Sequence, residues 1–213
     1  QKIPERGKNS VAPHRRSHNE DRMRIIGGQH RGTKLADLAG DKTRPTSDRV
    51  RESIFNILAG GRFGAPLHDS VVIDLFAGTG AMGLEALSRG ARMAAFVEND
   101  REALGVLRAN IDRLKRAGDC RVIAGDATTL ASWRGDLATL VFADAPYASG
   151  DGLRAINRLC TIGALADQAL IVMETGKDET PDSDLLGEAG LEIVDVRAYG
   201  KAMVHIIARQ SGV

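Results

Sequence analysis

Apolar residues along this chain gather in short runs, and between the runs they recur at helical spacing. Val71–Leu75 (VVIDL) is apolar but for Asp74, and it leads through Ala77-Gly78-Thr79-Gly80 into Ala81–Leu87 (AMGLEAL). A run of the first kind predicts a buried parallel strand, and the second a helix that starts at a glycine turn. Met93–Val97 is a second strand, ending in Glu98-Asn99-Asp100, and Asp100 is placed to cap a helix over Arg101–Ala117. Arg121–Ala124 is a third strand, followed by Gly125-Asp126-Ala127. Ala138–Ala143 is a fourth, followed by Asp144-Ala145-Pro146-Tyr147, and Ala169–Met173 is a fifth. Helices are expected over Gly152–Cys160 and around Leu185–Ala189. A last strand pair, Leu191–Arg197 and Ala202–Arg209, flanks Tyr199-Gly200-Lys201.

Strand and helix in alternation specify an α/β protein with a mostly parallel, doubly wound sheet. Two final strands joined by so short a turn must be antiparallel. The fold class is therefore a Rossmann-like sheet closed by a reversed hairpin, the ending of class I S-adenosylmethionine (SAM)-dependent methyltransferases rather than of typical NAD domains.

The front of the chain reads differently. Gln1–Arg22 is polar, basic and aperiodic, a disordered leader, with Met23 as the natural start. Arg24–Leu35 predicts a small hairpin around Gly27-Gly28 and Gly32. Arg44–Leu58 predicts a helix: Pro45 ends the coil, Thr46 or Ser47 caps, and Asp48 sits in the first turn. Val50, Ile54, Ile57 and Leu58 form its buried stripe, with Phe55 at the edge. Gly60–Ser70 is a loop. The organisation expected is a leader over 1–22, a basic hairpin and helix over 23–60, and a catalytic domain over 61–213.

Composition narrows this picture. With 213 residues and 43% apolar content, the chain can bury one α/β core with a small appendage. No apolar run reaches bilayer-spanning length. Cys120 and Cys160 lack metal-ligand spacing and read as reduced thiols of a cytoplasmic protein. The net charge of +1 hides an asymmetry: residues 1–51 carry 13 Lys+Arg against 6 Asp+Glu, and the remainder 16 against 22. A basic front on an acidic body points to a polyanion held by one face. Arg24, His30, Arg31 and Lys34 on the hairpin, with Arg44 and Arg49, are the candidate phosphate contacts.

The glycine turn leaves two ligands open. Gly78-x-Gly80-x-x-Gly83 matches the dinucleotide fingerprint, and Glu98 follows Gly78 by 20 positions, where a ribose-binding acid belongs. Glycine at 78 and 80 is expected because a side chain would hold a ligand off the backbone N–H groups. Asp74 favours SAM, since an acid before the turn can accept from a methionine ammonium but would repel a pyrophosphate. Ligands of such sheets lie beyond the strand carboxyl ends, and Asp74, Glu98, Asp126 and Asp144 stand at four of them. Glu98, beside Asn99, would take the ribose hydroxyls. Asp126 and Ala127 would meet the adenine, while Ala77, Gly78 and Gly80 carry the methionine end. In the Asp144–Tyr147 turn, the Asp carboxylate and a backbone carbonyl could accept both N–H bonds of a nucleobase amine. Such a site aims the nitrogen lone pair at the methyl group. Tyr147 offers a stacking face for an unstacked base, and Pro146 stiffens the turn.

Asp144-Ala145-Pro146-Tyr147 resembles the (D/N/S)-P-P-(Y/F/W) motif of methyltransferases acting on nucleobase amines. Together with MRIIGGQHRG, RPTSDRVRESIFNIL and DLFAGTGAMGLEALSRGA, the chain resembles the RsmD family from Met23 to about Arg209. That resemblance implies methyl transfer from SAM to the N2 amine of one guanine in small-subunit (16S) ribosomal RNA. The implied substrate is RNA within an assembling ribosomal particle, with no metal and no membrane involved. The family has Pro where this chain has Ala145, which keeps the carbonyl but not the fixed φ. Three other readings stay open on the sequence: an adenine-N6 methyltransferase on DNA or RNA, a SAM-binding RNA-assembly factor with little turnover, and an NAD(P) oxidoreductase.

Overall fold

The computed structural model describes residues 23–38 and 48–210. The leader over 1–22, Arg44, and the helix-start residues Pro45, Thr46 and Ser47 lie outside the described residues. Among the described residues, seven strands form one sheet: β1 (Val71–Leu75), β2 (Met93–Glu98), β3 (Cys120–Ala124), β4 (Ala138–Asp144), β5 (Leu165–Gly176), β6 (Leu191–Tyr199) and β7 (Ala202–Arg209). Their order is β3-β2-β1-β4-β5-β7-β6. The first five are parallel; β7 runs antiparallel to both β5 and β6. The short turn after Tyr199 forces that reversal, as expected.

The helices are α1 (Asp48–Ala59), α2 (Ala81–Ser88), α3 (Arg101–Leu114), α4 (Asp151–Thr161) and α5 (Ser183–Glu188). Asp100 caps α3 by accepting from Ala103 N at 2.8 Å. That helix stops at Leu114 rather than continuing to Ala117, because Lys115 turns left-handed at φ 55° and a 3-10 turn over Ala117–Asp119 follows.

Strand residues alternate between two cores, so parallel strands buried on both faces read as unbroken apolar runs. Val72, Phe96, Phe142 and Val172 face a layer built by α1, α2, α3 and the N-terminal hairpin. Ile73, Val97, Val141 and Ile171 face α4 and α5. Phe55 is fully buried rather than at the edge of the α1 stripe, and its ring meets Phe142 at 5.5 Å between centroids. Val50 and Ile57 are only half-buried, and Arg51 is buried in their stead. One guanidinium nitrogen, Nη2, donates to Arg24 O at 2.6 Å and to Asp48 Oδ1 at 2.8 Å. Nε and Nη1 are buried without a hydrogen bond, so the Asp48 contact offsets only part of the cost of burying this cation.

The hairpin is a short one, paired at Arg24–Lys34. Polar groups of the body hold it. The fully buried Glu85 carboxylate accepts from Ile26 N at 2.7 Å and Gly27 N at 2.8 Å, and ion-pairs with Arg89 at 2.7 Å. Asn110 closes a two-way bond with the Ala36 peptide and also donates to Thr79 O at 3.0 Å. Met23, Ile25 and Leu35 are buried in the same core as α1 to α3. No described helix is long and apolar enough to cross a membrane.

Candidate active site

Five parallel strands deliver their carboxyl ends to one rim. Asp74 stands one residue before the end of β1, Glu98 ends β2, Asp126 follows β3 by two positions, and Asp144 ends β4. β1 and β4 are neighbours, with Leu75 paired to Ala143, so the glycine turn and the Asp144–Tyr147 turn leave the sheet side by side.

Asp74 is 2% exposed, and its Oδ2 accepts from Gly83 N at 2.8 Å. It therefore ties β1 to the first turn of α2. Burial pushes its pKa up to about 8; the Gly83 N–H holds it down, while the charges of Asp144 and Glu98 push it further up. Those last two effects place Asp144 and Glu98 within electrostatic reach of the buried acid. Such a carboxyl is mostly neutral at pH 7 until a cation approaches.

The turn after β1 uses left-handed backbone at Phe76 (φ 58°), Gly78 (φ 53°) and Gly80 (φ 82°). The two glycines have different reasons. A Cβ at Gly80 would lie 2.4 Å from Leu107 Cδ1, so close packing of α3 demands glycine there. A Cβ at Gly78 would meet nothing within 4 Å. Open space over Gly78 is what a ligand lying on the turn needs. Gly83, like Gly80, is needed for packing, since a Cβ would strike the Phe96 ring at 2.4 Å.

Glu98 is 9% exposed and already engaged. Its Oε2 accepts from Gly78 N at 2.6 Å; its Oε1 accepts from Asn99 N and Asp100 N, both at 2.8 Å. A carboxylate offers about four acceptor positions, so one remains. Gripping both ribose hydroxyls requires release of the Gly78 N–H. Asp126 is exposed and caps a 3-10 turn, accepting from Thr128 N at 2.8 Å and Thr128 Oγ1 at 2.7 Å; Ala127 beside it is buried.

In the turn after β4, Asp144 is half-buried, Ala145 buried, Pro146 exposed and Tyr147 49% exposed. Ser149 Oγ donates to Pro146 O at 2.8 Å, which closes the turn before α4. Two acids that sequence reasoning missed touch it. Tyr147 Oη donates to Glu174 Oε1 at 2.6 Å, and Ala148 N donates to Glu179 Oε1. Glu174 pairs with Asp144 across β4 and β5. It stands near the end of a parallel strand, as the other four acids do, and that rule applied to the fifth strand would have found it.

Of the phosphate candidates, Arg24, Arg31, Lys34 and Arg49 are exposed. Arg24 lies 4.0 Å from Asp48. His30 is half-buried and its Nε2 is buried with no hydrogen bond, so that nitrogen does not face outward. Thr79 of the glycine turn donates to Met23 Sδ at 3.3 Å, which brings the root of the hairpin against the turn.

A family model described as "Conserved hypothetical protein 95" matches residues 23–208. Ribosomal RNA small subunit methyltransferase D of Escherichia coli K12 is 44% identical over 153 residues, which span 72% of this chain and 74% of that relative. The Haemophilus influenzae protein of the same name is 36% identical over 184 residues, or 83% of this chain and 93% of that one. The chain belongs to the RsmD family. The solved structure of Escherichia coli yhhF superposes with a TM-score of 0.75 at 38% identity, covering 90% of this chain and 99% of that one. The fold of this RsmD-family chain is accordingly the Rossmann-like fold of class I methyltransferases. Against that fold, the strand-end rim brings Asp74, Glu98 and Asp144 together, with Asp126 at the neighbouring strand end.

Proposed function

We propose that this RsmD-family protein transfers a methyl group from SAM to the exocyclic N2 amine of a guanine in small-subunit ribosomal RNA. One observation carries the reading. The glycine turn and the Asp144–Tyr147 turn leave adjacent parallel strands at the same rim, with Leu75 beside Ala143. A donor on one turn and an amine on the other are then separated by about one strand spacing, on the order of 5 Å, suited to direct transfer.

The residues present fit a cationic cofactor. Asp74, Glu98 and Asp144 are mutually close enough for their charges to act on the buried Asp74, and the space above Gly78 is open. SAM supplies a sulfonium methyl whose departure leaves a neutral thioether. The protein's work is orientation. Glu98 holds the turn and accepts from a ribose hydroxyl, and Asp126 with the Ala127 N–H meets the adenine. Asp144 accepts one N–H of the target amine and the Ala145 carbonyl the other, so the nitrogen lone pair faces the methyl group. Tyr147 stacks on the base once it leaves its helix.

Arg24, Arg31, Lys34 and Arg49 supply phosphate contacts at the hairpin and α1, and Glu85 and Asn110 hold that surface rigid against α2 and α3. The substrate on this reading is RNA in an assembled or partly assembled small subunit, which places the enzyme in the cytoplasm.

Nucleoside mass analysis after reaction with the small-subunit particle should give N2-methylguanosine; N6-methyladenosine would reassign the base. Asp144→Ala should abolish turnover and leave SAM affinity within about three-fold, because its charge only neighbours the cofactor site. Retained turnover would show that another group holds the amine.

A further inference from the structure

The β5 side of the rim holds the Asp144–Tyr147 turn through two carboxylates that have no part in the machinery above. The Tyr147 hydroxyl ends on Glu174 Oε1 at 2.6 Å. Glu174 is 8% exposed, whereas Tyr147 is 49% exposed. One end of the side chain is thus anchored in a nearly buried acid while much of it remains open to a partner. Beneath it lies Gly176: a Cβ there would sit 3.6 Å from Tyr147 Cγ. The next residue, Ala148, has a left-handed φ of 61°, and its N–H donates to Glu179 Oε1. Glu179 Oε2 accepts in turn from Gly176 N at 3.1 Å, and its carbonyl accepts from Thr175 Oγ1 at 3.2 Å. Thr175 Oγ1 also lies 3.0 Å from His205 Nε2 on β7. The tie therefore runs from the turn through the end of β5 into the antiparallel strand behind it.

We propose that Glu174 is a positioning residue for Tyr147. By receiving the phenol hydroxyl it sets the plane of the ring on which the target base stacks, while Glu179 fixes the peptide that follows. An exposed tyrosine without such an anchor samples several staggered χ1 wells; a charge-assisted O–H to carboxylate bond selects one. Burial, and then the hydrogen bond to Glu174, raise the phenol pKa, so the hydroxyl stays a donor throughout the working range. The proposal rests on the reading of Tyr147 as the base platform.

The test uses the full chain and measures the single-turnover rate on the small-subunit particle, alongside calorimetric SAM affinity. The variants are Tyr147→Ala, Tyr147→Phe, Glu174→Ala, Glu174→Gln and the double variant Tyr147→Phe/Glu174→Ala. Tyr147→Phe and Glu174→Ala should each slow transfer about ten-fold, the loss of one charge-assisted hydrogen bond, with SAM affinity held within two-fold. The double variant should be no slower than Tyr147→Phe alone, because both remove the same bond. Glu174→Gln, whose amide oxygen still accepts, should recover most of the rate. Glu174→Ala at the wild-type rate, a double variant slowed about a hundred-fold, or Glu174→Gln as slow as Glu174→Ala each overturns the positioning role. Tyr147→Ala at the wild-type rate instead refutes the platform. If Glu174→Ala loses SAM binding and so proves misfolded, Tyr147→Phe decides, and a wild-type rate there overturns the proposal.

Discussion

A carboxyl held near pKa 8 inside a site that is to receive a cation makes binding sensitive to pH in a calculable way. In the free protein Asp74 is neutral below that value, because burial and the nearby charges of Asp144 and Glu98 oppose its ionisation. A sulfonium and an ammonium arriving at the rim reverse the balance, so binding SAM should release a proton. If the bound carboxyl titrates well below pH 6, affinity tracks the ionised fraction of the free protein. From about pH 5.5 to about pH 7.5 that fraction rises between one and two orders of magnitude, and the dissociation constant should fall by the same factor. The upper limit keeps the ligand's own ammonium charged. Isothermal titration across that window, in buffers of differing ionisation enthalpy, reads both the affinity and the proton released. Asp74→Asn should flatten the dependence. A flat profile in the wild-type protein, or no proton release, refutes the coupling between Asp74 and the cofactor. The same shift has a consequence for folding. The folded pKa lies above the unfolded one, so this group's contribution is complete below pH 4 and is lost as pH rises towards 8. Without ligand, stability should decline with a slope of up to about 1.4 kcal/mol per pH unit from this group between those limits. Thermal unfolding of Asp74→Asn against wild type isolates it.

Other consequences concern the turn and the hairpin. Gly78→Ala places a methyl in open space at a left-handed φ, so it should cost about 1 kcal/mol of stability while weakening SAM binding at least ten-fold. Gly80→Ala meets Leu107 and should show the opposite balance, about 2–4 kcal/mol lost in chemical denaturation. Glu85→Ala leaves the Ile26 and Gly27 amides and Arg89 without their shared acceptor, and should cost about 3–5 kcal/mol in the same assay. Replacing Arg31 and Lys34 together with Ala should reduce the salt slope of RNA binding by about 1.4 to 1.8, two phosphates' worth; an unchanged slope means the hairpin is not the contact surface.

The backbone plan was legible in the residues because each strand's burial shows as an apolar run and each helix as a repeat. Both signals are local, and so is the short turn at Tyr199-Gly200-Lys201 that reverses the last strand. The acids at four strand ends could be named for the same reason, since position along the chain sets position at the rim. What local pattern does not carry is how a polar side chain is shared between distant segments. Nothing in the helical repeat marks Arg51 and Glu85 as interior residues, yet both are buried, because the hairpin folds over α1 and α2 and its peptide groups find partners there. Arg51 donates to Arg24 O, and Glu85 accepts from the Ile26 and Gly27 amides. Gly80, expected to carry the ligand, also answers a packing demand that no local pattern shows, since an added Cβ would meet Leu107, a residue 27 positions away. Glu98 is expected to take the ribose hydroxyls; the structure adds that it also accepts three backbone amides. The bond from Tyr147 to Glu174 joins two strand ends separated by a whole helix and strand. Sequence alone determined which elements form and in what order the acids reach the rim. Only the tertiary structure decided which of those acids are already bound to the protein itself. The Gly83 amide reaches Asp74 from 9 residues on and the Gly78 amide reaches Glu98 from 20 residues back, and a distant amide satisfies a buried carboxylate as well as a near one.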